Sequence, residues 1–133
     1  MLDDSQIRDV LQTAKTIAVV GHSDNPGRTS YQIARFLRNA GYTVYAVNPT
    51  VSEIDGEISY ASVQDIPDEI DIVDVFRRSE FLDGVVEDAI AAGAKTVWSQ
   101  LGVSDESAAD KATEAGLNMV MNRCIKVEHM RLL

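Results

Sequence analysis

A short polar loop carries the residues best suited to bind an anionic ligand. It holds Gly21-His22-Ser23 at one end and Arg28-Thr29-Ser30 at the other, and its middle has no apolar side chain except proline. The backbone N–H groups of a glycine-bearing loop and the positive end of a following helix can together hold a phosphate. The pattern therefore predicts phosphate binding between residues 21 and 30.

A strand and a helix must flank this loop to position it. Residues 16–20 form an apolar, β-branched run that is typical of a strand buried on both faces, as in a parallel sheet. Residues 30–40 place apolar side chains at helical spacing, and we expect Thr29 or Ser30 to cap this helix. The side chains of its buried face are Ile33, Phe36, Leu37 and Ala40.

The rest of the chain repeats the strand and helix pattern. Three helices end in Ala-Gly and lead directly into a strand, at Gly41, Gly93 and Gly116. Alternation of this kind implies parallel strands with right-handed crossovers. We predict an α/β, Rossmann-like three-layer domain with a five-stranded, mainly parallel sheet in the order 3-2-1-4-5. The predicted strands are 16–20, 42–47, 70–76, 95–98 and 117–121. We expect a long surface connection over 50–67 with only a short strand-like piece around 58–60.

This strand order predicts where a ligand would lie. The first and fourth strands are neighbours at the point where the order reverses, so the loop at 21–30 would face the loop at 99–103 across a crevice. The ends of the second and third strands would line the same edge of the sheet. They carry Asn48-Pro49 and Phe76-Arg77-Arg78.

Composition excludes several classes of function. At 133 residues we expect one domain, and the net charge of -9 argues against general nucleic-acid binding and against anionic membrane surfaces. The single Cys124 rules out an internal disulfide, and the two histidines lack a metal-ligand spacing, so no metal is predicted. Neither a membrane span nor an export signal is evident, and we expect a cytoplasmic protein.

Two common nucleotide-binding patterns are incomplete. The loop has Gly21 and Gly27 without the full G-x-G-x-x-G, and Asn48-Pro49 stands where dinucleotide enzymes usually place an acidic residue. The pattern G-x-x-x-x-G-K-[ST] is also missing. NAD-linked chemistry and ATP hydrolysis by that route are therefore disfavoured.

Five segments, in this order and spacing, resemble the stand-alone CoA-binding proteins of bacteria and archaea. They are AVVGHSDNPGRTSY, VNP at 47–49, VDVFRRSE at 73–80, GAKTVWSQLGV at 93–103 and NRCIKVEH at 122–129. Such proteins are single Rossmann-like domains, similar to the N-terminal CoA-binding domain of the succinyl-CoA synthetase α subunit. The resemblance covers nearly the whole chain and implies that coenzyme A lies over the C-terminal ends of the strands.

The resemblance also implies a set of binding residues. The diphosphate would lie at the first loop and helix start, the adenosine near the ends of the second and third strands, and a further contact would come from the loop after the fourth. The predicted set is Gly21, His22, Ser23, Arg28, Thr29, Ser30, Asn48, Pro49, Val75, Phe76, Arg77, Arg78, Gln100, Leu101, Gly102 and Cys124.

Two departures from the synthetase limit what carries over. The loop at 49–53 has no lysine to reach the CoA phosphates, so Arg28, Arg77 or Arg78 would have to substitute. The chain has no second domain with the phosphorylated histidine, so the resemblance does not imply ligase activity.

Cys124 allows two interpretations. It is either a small buried apolar residue or, because it matches a cysteine of the synthetase domain, a thiol that forms a reversible mixed disulfide with CoA.

The sequence thus favours a domain that binds CoA or an acyl-CoA without catalysis of its own. Two alternatives stay open. One is a small enzyme that uses the same crevice for acyl transfer or NAD-linked chemistry, and the other is a ligand-regulated subunit that binds a protein partner. Pairing with a second copy of the chain is also left open.

Overall fold

The computed structural model describes residues 2–133, in which strands and helices alternate as predicted. In chain order the elements are α1 (Asp4–Thr13), β1 (Thr16–Val20), α2 (Thr29–Asn39), β2 (Thr43–Val47), β3 (Glu53–Ile54), β4 (Glu57–Tyr60), β5 (Ile72–Val75), α3 (Leu82–Ala91), β6 (Thr96–Ser99), α4 (Glu106–Glu114), β7 (Asn118–Val120) and α5 (Ile125–Leu132). Two short 3₁₀ turns, Val63–Asp65 and Ser79–Phe81, precede β5 and α3.

The strands form one sheet in the order β3-β4-β2-β1-β5-β6-β7. The predicted five-stranded order 3-2-1-4-5 is therefore wrong, because the third predicted strand, β5, pairs in parallel with β1. Asp71 fixes this neighbour: its carboxylate accepts hydrogen bonds from the backbone N–H groups of Lys15 (2.7 Å) and Thr16 (3.1 Å) at the start of β1. The strands β2, β3 and β4 therefore lie on one side of β1, and β5, β6 and β7 lie on the other, so the direction of the strand order reverses between β1 and β5.

The predicted connection over 50–67 contains a β-hairpin. β3 and β4 are antiparallel, and β4 joins the sheet by pairing Ser59 and Tyr60 in parallel with the end of β2. The two turn residues, Asp55 and Gly56, both have positive φ, at 52° and 83°. β4 matches the strand-like piece predicted around 58–60. Asp-Gly between two short strands is a strong hairpin signal, and it would have revealed β3 as well.

Helices cover both faces of the sheet, so the three-layer prediction is confirmed. On one face α1, α2 and α5 pack over β1 and its neighbours, and on the other face α3 and α4 pack over the opposite side chains. All five residues of β1 are buried, as expected for a central parallel strand. Within residues 2–133, no helix combines the length and apolar character needed to cross a membrane.

Candidate functional site

The loop after β1 lies directly against the loop after β5. Gly21 has φ +85°, and a Cβ atom at this position would lie 2.6 Å from the carbonyl oxygen of Phe76 and 3.3 Å from Cδ of Arg77. No real Cβ atom tolerates the first of these distances, so the contact requires glycine. The loop after β1 therefore lies against Phe76 and Arg77. The predicted direct opposition to 99–103 is wrong because that loop lies one strand further away.

Helix α2 begins without a side-chain cap. Its N-cap residue is Arg28, whose side chain accepts no N–H group, so the prediction that Thr29 or Ser30 caps the helix is wrong. The Ser30 hydroxyl instead accepts the backbone N–H of Ser23 at 2.9 Å and ties the loop to the helix. Within residues 2–133, the N–H groups of Thr29, Ser30 and Tyr31 find no acceptor. This first turn therefore presents unpaired donors and the positive end of the helix dipole.

The His22 side chain lies inside the protein, with no exposed surface. Its Nδ1 lies 2.8 Å from the carbonyl oxygen of Ser23, which can only accept, so Nδ1 carries the proton. Nε2 then accepts from the Arg38 guanidinium at 3.2 Å. Burial lowers the pKa of His22, the Ser23 carbonyl opposes that shift, and the charge of Arg38 adds to it. The imidazole is thus neutral and lies inside the protein.

Asn48 links the loops that follow β1 and β2. Its amide donates to the carbonyl oxygen of His22 at 2.9 Å, and its side-chain oxygen accepts from the backbone and hydroxyl of Thr50. Pro49 and Arg77 line a small cavity of about 60 Å³ beside it. The Val75 side chain belongs to the buried core and has no exposed surface, so only its backbone can contact a ligand.

A second cavity of about 310 Å³ lies on the other side of Arg77. It brings together two predicted groups, residues 76–78 and residues 100–102, at one edge of the sheet. Both guanidinium groups lie over the Phe81 ring, Arg77 at 4.4 Å and Arg78 at 5.4 Å from its centroid. Arg78 also pairs with Glu80 at 3.1 Å, whereas Arg77 is the arginine that lines both cavities.

Cys124 lies beside this edge, as the partly buried residue that precedes α5. Its segment is tied to the loop after β6, because Asn122 accepts the backbone N–H of Gly102 at 2.7 Å. Asn122 has φ 61°, a conformation that asparagine tolerates better than most residues. Sequence reasoning missed Asn122 and Phe81, although both neighbour predicted site residues.

Asp74 is the polar residue that sequence reasoning missed most completely. It lies in β5, fully buried between Val19 and Trp98 on the adjacent strands. Its Oδ1 lies 2.5 Å from the side-chain amide of Gln100, and within residues 2–133 no group bonds its Oδ2. Burial raises the pKa of Asp74 to about 8, against the opposing effect of the Gln100 hydrogen bond. An acidic residue in an otherwise apolar strand is the signal that could have revealed it.

The chain resembles both stand-alone proteins and parts of larger enzymes. It is 43% identical over 125 residues to an uncharacterised protein, YneT, of Bacillus subtilis, covering 94% of this chain and 93% of that protein. It is also 35% identical over 97 residues to the α subunit of acetate–CoA ligase (ADP-forming) I of Pyrococcus furiosus. That match covers 67% of this chain but only 21% of the ligase subunit.

Solved structures show the same fold. A hypothetical protein from Pyrococcus horikoshii is 45% identical with a TM-score of 0.95, covering 98% of this chain and 92% of that one. A protein from Thermus thermophilus is 37% identical with a TM-score of 0.94, covering 99% of this chain and all 100% of that one. The family model described as a CoA binding domain matches residues 15–130. The chain therefore belongs to the CoA-binding domain family, as the resemblance of its five segments implied.

Proposed function

We propose that this protein binds coenzyme A or an acyl-CoA at the C-terminal edge of the sheet, where the loops after β1 and β5 meet. One observation carries the proposal: the uncapped first turn of α2 is tied, through the Ser23–Ser30 hydrogen bond, to the loop that starts at Gly21. Gly21 itself is held against the Phe76 carbonyl so closely that only glycine fits. Unpaired N–H groups at a helix start, beside a glycine loop, are suited to a diphosphate.

Two arginines, Arg28 and Arg77, supply positive charge at this edge of an acidic chain. Arg28 is exposed at the start of α2, and the Arg77 stem lies over Gly21. Guanidinium groups match phosphate oxygens in geometry and stay charged at all ordinary pH values. Arg28 and Arg77 would therefore hold the phosphates in place of the lysine that the synthetase uses.

The two cavities that Arg77 lines indicate the directions in which the two ends of the ligand would extend. The adenosine would lie towards Pro49, where the small cavity opens, and the pantetheine arm would extend along Gln100, Leu101 and Gly102 towards Cys124. Membership in the family and the likeness to a CoA ligase subunit support CoA as the ligand.

The site supports binding better than catalysis by this chain alone. The imidazole of His22 has both nitrogen atoms engaged inside the protein, and Asp74 has no exposed surface. Neither group can reach a substrate as a general acid or base, which requires direct contact or one bridging water. We therefore propose that the domain presents CoA rather than transforms it.

Calorimetric titration with CoA tests the proposal, with NAD and ATP as comparators. We expect CoA to bind best and Arg77→Ala to weaken it about tenfold or more, as loss of a charged hydrogen bond predicts. Arg78→Ala is the matched control: its guanidinium is exposed and paired with Glu80, so we expect a smaller loss. Equal or tighter binding of NAD, or no binding of CoA, would contradict the proposal.

A further inference from the structure

The carboxyl group of Asp74 has an unusual hydrogen-bonding pattern for a buried side chain. One oxygen lies against the amide of Gln100, and the other has no partner within residues 2–133 although it is closed off from solvent. An ionised carboxylate in this position would be strongly disfavoured, since burying a charge without a compensating partner is costly. A neutral carboxylic acid tolerates the site better.

The amide of Gln100 can serve either form of Asp74. In the structure its Nε2 donates to Asp74 Oδ1 at 2.5 Å. A half-turn of the glutamine amide exchanges its oxygen and nitrogen without moving the rest of the side chain. An ionised Asp74 accepts from the amide N–H₂, whereas a neutral Asp74 can donate its O–H to the amide oxygen.

The other end of the Gln100 amide is directed away from this bond. The Oε1 atom of Gln100 makes no hydrogen bond within residues 2–133. Unlike Asp74 Oδ2, it is accessible to solvent. Gln100 lines the 310 Å³ cavity together with Leu101 and Gly102. A half-turn of this amide therefore exchanges a donor for an acceptor at the wall of the candidate site.

The surroundings of Asp74 leave Gln100 as its only polar partner within residues 2–133. Val19 and Trp98 flank it in the sheet. Of the helices on this face, α1 buries only Ile7 and Leu11. The buried titratable groups on the same side have other partners, since His22 bonds Ser23 and Arg38, and Glu128 of α5 pairs with Arg131 and Arg123.

We propose that Asp74 is a positioning residue that selects which end of the Gln100 amide faces the ligand. This inference rests on the proposed function. As a neutral acid, Asp74 holds the amide oxygen inward, so the Gln100 N–H₂ faces the crevice and can donate to a carbonyl oxygen in the pantetheine arm or acyl group. As a carboxylate, Asp74 accepts the N–H₂, and the amide oxygen faces the ligand carbonyl instead.

The expected charge state agrees with the geometry. Because burial raises the pKa of Asp74 to about 8, the neutral acid predominates at pH 7 and gives way to the carboxylate above pH 8. CoA should therefore bind more tightly below this pH than above it.

CoA titrations from pH 6.5 to 9.0 on the wild type, Asp74→Asn and Gln100→Met test the proposal. The wild-type affinity should fall about three- to tenfold across this range, the effect of one ligand hydrogen bond. Asp74→Asn cannot ionise and its N–H₂ can replace the acid donor, so its affinity should stay high. Gln100→Met lacks the amide and should bind weakly at every pH. The comparison between variants removes any titration of CoA itself.

Parallel pH profiles for the wild type and Asp74→Asn would overturn the proposal. If the wild type fails to bind CoA at any pH, the proposed function fails, and carboxyl-carbon NMR of the ligand-free wild type then decides on Asp74 itself. A midpoint near pH 8, with the Gln100 side-chain amide signals moving at the same pH, supports the positioning role. A midpoint near pH 4 overturns it.

Discussion

The stability of the Asp74→Asn variant relative to the wild type should increase as the pH rises. In the folded protein the pKa of Asp74 is about 8, against an ordinary value of 3.8. Between these values the folded chain holds a proton that the unfolded chain lacks. The stability contributed by the neutral acid is therefore complete below about pH 4 and is lost progressively up to about pH 8. Asparagine has no proton to lose and escapes this decline.

The size of the effect follows from linkage. Each pH unit within the window changes the free energy of unfolding by about 1.4 kcal/mol for one proton. Between pH 5 and pH 7 the difference between Asp74→Asn and the wild type should therefore grow by about 3 kcal/mol. The second N–H of asparagine has no partner and adds a cost of about 1–3 kcal/mol, but this cost does not change with pH. The slope, rather than the absolute difference, is thus the diagnostic quantity.

Urea unfolding followed by circular dichroism at pH 5, 6, 7 and 8 measures this slope. Asp71→Asn provides a matched control immediately before the same strand. Burial tends to raise the pKa of Asp71, but hydrogen bonds from Lys15, Thr16 and Lys95 lower it overall. Asp71 is thus ionised in both states over this range, and its variant should be destabilised by a constant amount. A pH-independent difference for Asp74→Asn would refute the reasoning.

Two further predictions concern the loop at 21–30. Gly21→Ala should lower the free energy of unfolding by about 2–4 kcal/mol and abolish CoA binding, because its Cβ would meet the Phe76 carbonyl. Gly56→Ala is the control. Gly56 has a similar φ, but no atom lies within 4 Å of the position of an added Cβ atom. This change should lower the free energy of unfolding by only about 1 kcal/mol in the same urea titration and leave binding intact. Ser30→Ala should lower the free energy of unfolding by about 1–2 kcal/mol, since it leaves the Ser23 N–H without its acceptor. It should also weaken CoA binding, measured by calorimetry. Unchanged binding by Gly21→Ala or by Ser30→Ala would contradict the role assigned to this loop.

The strands and helices were predictable because they depend on local patterns. The apolar run at 16–20 and the helical spacing at 30–40 each specify one element, and both are observed within a residue or two. Strand order depends instead on distant contacts. The hydrogen bonds from Lys15 and Thr16 to Asp71 select β5 as the neighbour of β1, and no pattern within either segment encodes that choice.

The grouping of residues at the candidate site was predictable in outline, but its internal hydrogen bonds were not. The C-terminal ends of parallel strands meet at one edge whatever their order, so residues 76–78 and 100–102 line one cavity although the predicted order was wrong. The sequence does not show that His22 lies inside the protein, because a polar loop is ordinarily exposed. It also conceals Asp74, since burial of that carboxyl group depends on Val19 and Trp98 from two other strands.

The pairing of β1 with β5 also determines when the protein can complete its fold during synthesis. Thr16 and Asp71, which join these strands, are 55 positions apart in the chain. A nascent chain that ends before Ile72 can pair β1 with β2 but leaves the other edge of this apolar strand open, and such edges associate with other chains. Long-range parallel pairing is also slow. Synthesis of β5 therefore covers the open edge of β1 and brings Phe76 and Arg77 against Gly21 in the same step.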